Sequence, residues 1–282
     1  DQRCRVDIDD TGIEGVWLDG RRLVTGDIVG WLWRAPTDND GVKQGWMADR
    51  DNSRSRWMRW ALDRLAPMVD EVRIRDGADG TTIDVTRRMI GPDDEADRRT
   101  TILVTDEGVR FDEEIVVPQA WNDLARVGVR FDVPSELDRL QWMGPGPDET
   151  YPDRCGAAMV ARWESTVTEQ YHPFVVPQDH GIHVDTRWFA LADASGRGLR
   201  IDADPRFVFA ARHHHDQDLD DARTLAELVR GETIEVHIDA AVRGLGTAAC
   251  GPDVLAPYLV GPGVHRFSYV MRPVGPAGSG SS

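Results

Sequence analysis

Lysine is nearly missing: Lys43 is the only one in 282 residues, and every other side-chain cation except histidine is arginine. That bias reads as genomic composition, with phosphate binding by arginine as the second reading. Positive charge is short overall, 33 Lys and Arg against 49 Asp and Glu, for a formal net charge of −16. A surface of that sign repels nucleic-acid phosphates and anionic lipid, which excludes both as partners. No run of about 18 apolar residues is present, so no transmembrane helix is expected. No basic stretch followed by an apolar one opens the chain, so no signal peptide is read. Cysteine is scarce and odd in number. Cys4, Cys155 and Cys250 lie far apart and give neither metal-ligand spacing nor a disulfide framework. A reducing, cytoplasmic setting is the expectation. The chain opens at Asp1 without a methionine and closes on a flexible Gly/Ser composition at 275–282. Both ends read as cuts from a longer polypeptide.

Hydrophobic residues make up 40%, enough for a sizeable core at this length. The expected organisation is one β domain over 1–274 with a flexible tail over 275–282. Period-two alternation recurs at 82–86, 109–117, 126–133 and 233–242, with Glu113 as an acidic break in the second. Each such strand predicts one wet and one dry face, as in an antiparallel sandwich. Shorter strands are expected at 14–18, 28–33, 157–163, 183–192, 198–201, 206–211 and 264–271. Turn signals separate them: Asp19-Gly20, Asp79-Gly80, Glu107-Gly108 and Pro134-Ser135. No βαβ alternation appears, so no parallel sheet is expected. One helix is predicted over 52–65, capped by Asn52 or Ser53 and stopped by Pro67. Trp57, Trp60, Ala61 and Leu65 share a face of it, read as packing rather than as a sugar platform.

Two stretches stand apart. Residues 141–154 read Gln-Trp-Met-Gly-Pro-Gly-Pro-Asp-Glu-Thr-Tyr-Pro-Asp-Arg. Their glycines and prolines exclude a regular helix or a central strand and predict a stiff loop with polar tips. Trp142 and Tyr151 read as its buried anchors. Glu149, Asp153 and Arg154 read as an internal ion-pair set. The other stretch, Trp33-Arg34-Ala35-Pro36-Thr37-Asp38-Asn39-Asp40, runs from an aromatic strand into an acidic turn. Asp38, Asn39 and Asp40 each offer a turn-capping oxygen. The spacing of an EF-hand calcium loop is absent, so a structural turn is preferred.

These stretches, in this order, resemble the C-terminal "small chain" domain of family 2 β-galactosidases. The likeness continues in Tyr171-His172-Pro173-Phe174-Val175-Val176-Pro177-Gln178-Asp179-His180-Gly181, in the His213-His214-His215 region, and in the glycine-rich 243–252. It runs from about Trp31 to Met271. The resemblance implies an all-β antiparallel supersandwich of the galactose mutarotase kind. It implies the last of five domains, following a catalytic barrel that carries both catalytic glutamates. The family's acid/base glutamate follows an asparagine, and no Asn-Glu pair occurs here. The chain is therefore expected to carry no catalytic residue and to hydrolyse nothing alone. The expected partners are the barrel and a galactoside. The resemblance implies no cofactor for this chain, and places any magnesium and sodium in the parent's other domains.

In the family a loop of this domain lends a tryptophan to the sugar pocket. The matching position is Cys250, with Ala249 and Gly251 beside it. Cysteine offers no stacking face, so it either lines a pocket as a thiol or packs a tight turn. His213 and His215 would share a face on a strand, but two imidazoles fall short of a zinc set. A free-standing carbohydrate-binding module and a mutarotase-like epimerase, with a His and an acid as its catalytic pair, are the competing functions.

Overall fold

The structure is a computed structural model that describes residues 3–41, 51–246 and 253–275. Every strand pairing in it is antiparallel. Strands β1 (Cys4–Ile8), β2 (Ile13–Leu18) and β3 (Arg21–Val24) form a small sheet. Asp19 (φ 48°) and Gly20 (φ 74°) turn β2 into β3, the positive dihedrals a two-residue hairpin requires.

The other twelve strands form one branched sheet. They are β4 (Val29–Trp31), β5 (Ala66–Gly77), β6 (Gly80–Ile90), β7 (Glu95–Thr105), β8 (Gly108–Val117), β9 (Arg126–Pro134), β10 (Arg139–Gly146), β11 (Met159–Thr166), β12 (Ile182–Ala192), β13 (Gly198–Arg212), β14 (Thr233–Val242) and β15 (Gly263–Val274). The main path runs β11-β10-β12-β13-β15-β8-β7-β6-β5, and β14, β9 and β4 branch from β13. The branch has a simple cause. The first half of β13 pairs with β15 up to Asp204, and the second half pairs with β14 from Val208. Pro205, which has no N–H to donate, separates the two. The expected strands at 198–201 and 206–211 are thus one strand serving two neighbours. The molecule is an all-β antiparallel supersandwich.

One apolar cluster runs from Cys4 to Met271. Phe189 stacks on Phe209 at 4.4 Å and Phe111 on Tyr269 at 4.9 Å, geometries that add to area burial. No helix among the described residues is long and apolar enough to cross a membrane.

Four expectations are corrected. Residues 141–146 are not loop but part of β10, flanked by β11 and β12. The strand tolerates Pro145 because β12 pairs only as far as Met143, so the proline sits where β11 alone flanks it. Helix α1 (Ser53–Arg59) is capped by Asn52, which accepts the Ser55 N–H at 2.8 Å, but it stops well short of Leu65. Ala61 turns left-handed (φ 54°), and Pro67 lies in the edge strand β5. Glu113 is no break. It sits inside β8, buried, with its carboxylate held by Arg98 at 2.7 and 3.0 Å. Finally, the polar face of β14 is not wet: Glu235, His237 and Asp239 are as buried as Ile234, Val236 and Ile238.

Candidate functional site

Arg34 ends the aromatic stretch and is fully buried. Its guanidinium forks onto Asp40 at 2.8 and 3.0 Å and donates to the carbonyls of Arg243 (2.9 Å) and Gly244 (3.0 Å). Burial alone would lower its pKa; Asp40 outweighs that and raises it above the ordinary arginine value. Asp40 also accepts the Thr37 N–H (2.9 Å) and hydroxyl (3.0 Å), which closes the turn. Trp33 packs in the core edge-on to Trp31 at 6.2 Å. Asp38 stands exposed, its backbone N–H given to Gln178 at 3.0 Å, and Asn39 reaches the Leu245 carbonyl at 2.7 Å.

The second motif docks on the third. Tyr151 is buried and donates its hydroxyl to Asp179 at 2.9 Å. Glu149 accepts the Gly181 N–H at 2.8 Å and has Arg154 at 3.6 Å. Burial raises the Glu149 carboxyl above its usual range, against the pull of Gly181 and Arg154. Asp153 is not part of that pair. It accepts the N–H groups of Leu245 (2.9 Å) and Gly246 (2.8 Å). A Cβ on Gly244 would stand 2.4 Å from the Asp153 carboxylate, so only glycine permits this approach.

All four segments meet at one cleft of about 350 Å³. Thr37, Asp38 and Asn39 line it from the first motif, and Glu149, Tyr151 and Arg154 from the second. Phe174, Gln178 and Asp179 come from the third, and Leu245 and Gly246 from the fourth. Trp142 is not part of the lining; it is buried in β10, its indole donates to the Pro145 carbonyl at 3.0 Å, and His183 packs on it at 4.5 Å. Ala249, Cys250 and Gly251 lie outside the described residues.

Behind the cleft is a buried charge cluster that the sequence reading missed. Asp179 accepts from Arg126 (3.1 Å) and Arg212 (2.7 Å) as well as from Tyr151. Arg212 continues to Asp216 (2.8 Å), Glu235 (3.4 Å) and His237 (2.9 Å). These three place ligand atoms within 4.8 Å of one another, the only such group among the described residues. The Arg212 guanidinium already supplies the cation between them, so a metal there would meet a like charge. Burial drives His237 well below its ordinary value and lifts the Asp239 carboxyl to about 7, despite Arg126 nearby. Arginines of β9 reach diagonally to acids of β14, Arg130 to Glu235 at 2.8 Å and Arg126 to Asp239 at 3.6 Å, a link the sequence does not show until the two strands are paired.

The three histidines are not on a strand. His213 meets Asp138 at 3.0 Å, His214 packs against Tyr171 at 5.0 Å, and His215 meets Asp132 at 3.0 Å. They face three different partners and form no shared ligand set.

The β-galactosidase small chain family matches residues 1–271. The β-galactosidase of Arthrobacter sp. (strain B7) is 34% identical over 82% of this chain and 24% of its own length. That of Vibrio cholerae serotype O1 is 26% identical over 83% and 22%. The chain thus spans about a quarter of these relatives. Among solved structures, a putative aldose 1-epimerase from Escherichia coli K12 matches at 11% identity, TM-score 0.49, over 96% of both chains. A galactose mutarotase-like protein from Lactobacillus casei matches at 11% identity, TM-score 0.48, over 97% of this chain and 98% of its own. On the match across residues 1–271, this chain belongs to the β-galactosidase small chain family.

Proposed function

We propose that this chain is a non-catalytic domain of a longer β-galactosidase, and that its cleft completes the galactoside pocket built mainly by the rest of that polypeptide. The observation that carries this reading is the convergence of four separate sequence motifs on one cleft. Packing alone would not need polar tips from each of them at the same mouth.

The chemistry of the cleft fits binding rather than bond cleavage. Retaining hydrolysis takes a nucleophile and an acid/base carboxylate about 5–5.5 Å apart. Asp179 is spoken for by two guanidiniums and a phenol, and so does not serve as either. Among the described residues no histidine lines the cleft, so the epimerase alternative finds no imidazole partner for Glu149 in that lining. Asn39, Glu149 and Gln178 supply the donors and acceptors a sugar's hydroxyls use, and Phe174 an apolar face. Cys4 and Cys155 are free thiols, which supports a cytoplasmic setting.

The test is kinetic, in the parent polypeptide. Glu149→Gln and Phe174→Ala are expected to raise KM for an aryl galactoside several-fold with little change in kcat. Unchanged constants in both variants would mean that the cleft faces something other than substrate.

A further inference from the structure

A second concavity, of about 420 Å³, lies on the other side of the Tyr151–Arg154 turn. Val184, Phe207, Val208, Ala241 and Val242 give it an apolar stripe, with Leu259 beside them, while Asp185, Arg206 and Tyr258 bring polar groups to the same wall. Two irregularities in neighbouring strands build it. The β12–β13 register slips between His183 and Thr186, where Asp185 takes φ 52°, and the β14–β9 register slips at Ala240. Bulges of this kind re-aim side chains and bend the strand. Leu259 remains 40% exposed and Leu255, in the same turn, 56%. An ion pair at the rim, Arg206 with Asp185, is long at 3.9 Å and open to solvent.

We infer that this groove is a docking surface for the remainder of the parent β-galactosidase polypeptide, entered by an apolar segment of it. The inference rests on the reading of the chain as a domain of that enzyme. Three observations select the occupant. The relatives are about four times as long as the stretch this chain matches, so a large partner in the same polypeptide has to be seated. The groove adjoins the cleft through one short turn, so the body that faces the cleft also reaches the groove. A second copy of this chain would bring −16 against −16. A small polar ligand would find its donors and acceptors only beside the apolar stripe, from Asp185, Arg206 and Tyr258, and none within it. An apolar segment needs none, and burying such a stripe is what stabilises an obligate contact.

Cys155 lines the groove, is exposed in this chain and serves as the reporter. The experiment is peptide-mapped alkylation of Cys155 by N-ethylmaleimide in the folded parent polypeptide, compared with the same protein in urea. Protection by about tenfold or more in the native protein is expected, because an interface core excludes solvent-borne reagents. Leu259→Asp, at a rim position that tolerates a charge in the fold, is expected to restore alkylation while circular dichroism stays unchanged. Native alkylation as fast as in urea would overturn the inference. So would protection that survives both Leu259→Asp and Ala241→Asp, since this chain would then shield itself. Protection that vanishes on dilution of the parent would assign the groove to a second copy instead. Failure here is separable from failure of the proposed function, which is read in KM with the cleft variants and not in Cys155.

Discussion

Tyr151 and Asp179, far apart in sequence and both buried, are joined by a 2.9 Å hydrogen bond from phenol to carboxylate. The same carboxylate holds Arg126 and Arg212. One acid therefore ties the central motif to the strands behind it.

Removing the acid should cost more than removing the phenol. Asp179→Ala leaves two buried guanidiniums short of an anion, a loss of about 3–5 kcal/mol by the general cost of breaking a buried pair. Tyr151→Phe deletes a single hydrogen bond to a charged group and should cost about 1.5–3 kcal/mol. Urea unfolding of both variants checks the ranking. Equal, small losses would mean that the cluster does not hold the fold.

The Arg98–Glu113 pair tests the same physics away from the cleft. Both side chains are buried, and Thr100 adds a hydrogen bond to Glu113 at 2.8 Å. Glu113→Ala should destabilise by about 3–5 kcal/mol, while the double change Arg98→Met with Glu113→Leu should recover most of that loss. A double variant no better than the single one would show that the pair gives more than mutual neutralisation.

The strands were legible where polar and apolar residues alternate along the sequence. Residues 233–242 were expected as a strand, and β14 has those bounds. β5 was not legible, because as an edge strand it is exposed on both sides and shows no alternation. The end of α1 was missed because Ala61, a good helix former, turns left-handed under tertiary packing. Of the residues that line the cleft, Asp38, Asn39, Glu149, Tyr151 and Arg154 stood out in the sequence, as parts of stiff structural loops, since proline and glycine mark their segments. Their partners did not. Arg126, Arg212, Glu235 and Asp239 look like the wet faces of ordinary strands, and only the pairing of β9, β14 and β13 reveals that those faces are buried.

Asp239 makes a prediction about pH. Burial raises its carboxyl to about 7 in the folded chain, above the roughly 3.9 of an unfolded aspartate. Between those values the folded state holds the extra proton, so this group's contribution to stability falls as pH rises from about 4 to 7. His180 and His183, lowered to about 4 by burial, act in the opposite direction up to about 6.5, and cancel in a comparison with a variant. Asp239→Asn, which mimics the protonated acid, should gain stability relative to the parent as pH rises from 4 to 7 and hold that gain above. A difference between the two proteins that stays flat with pH would show that Asp239 is ionised throughout.

The central claim is that this chain gives a β-galactosidase a competent pocket without performing the chemistry. The direct measurement is hydrolysis of a chromogenic β-galactoside by three samples: the parent polypeptide truncated before this domain, this chain alone, and the two together. The account predicts background rates for each part and restored turnover for the mixture. Full turnover by the truncated parent, or turnover by this chain alone that a carboxylate substitution within it abolishes, would contradict it.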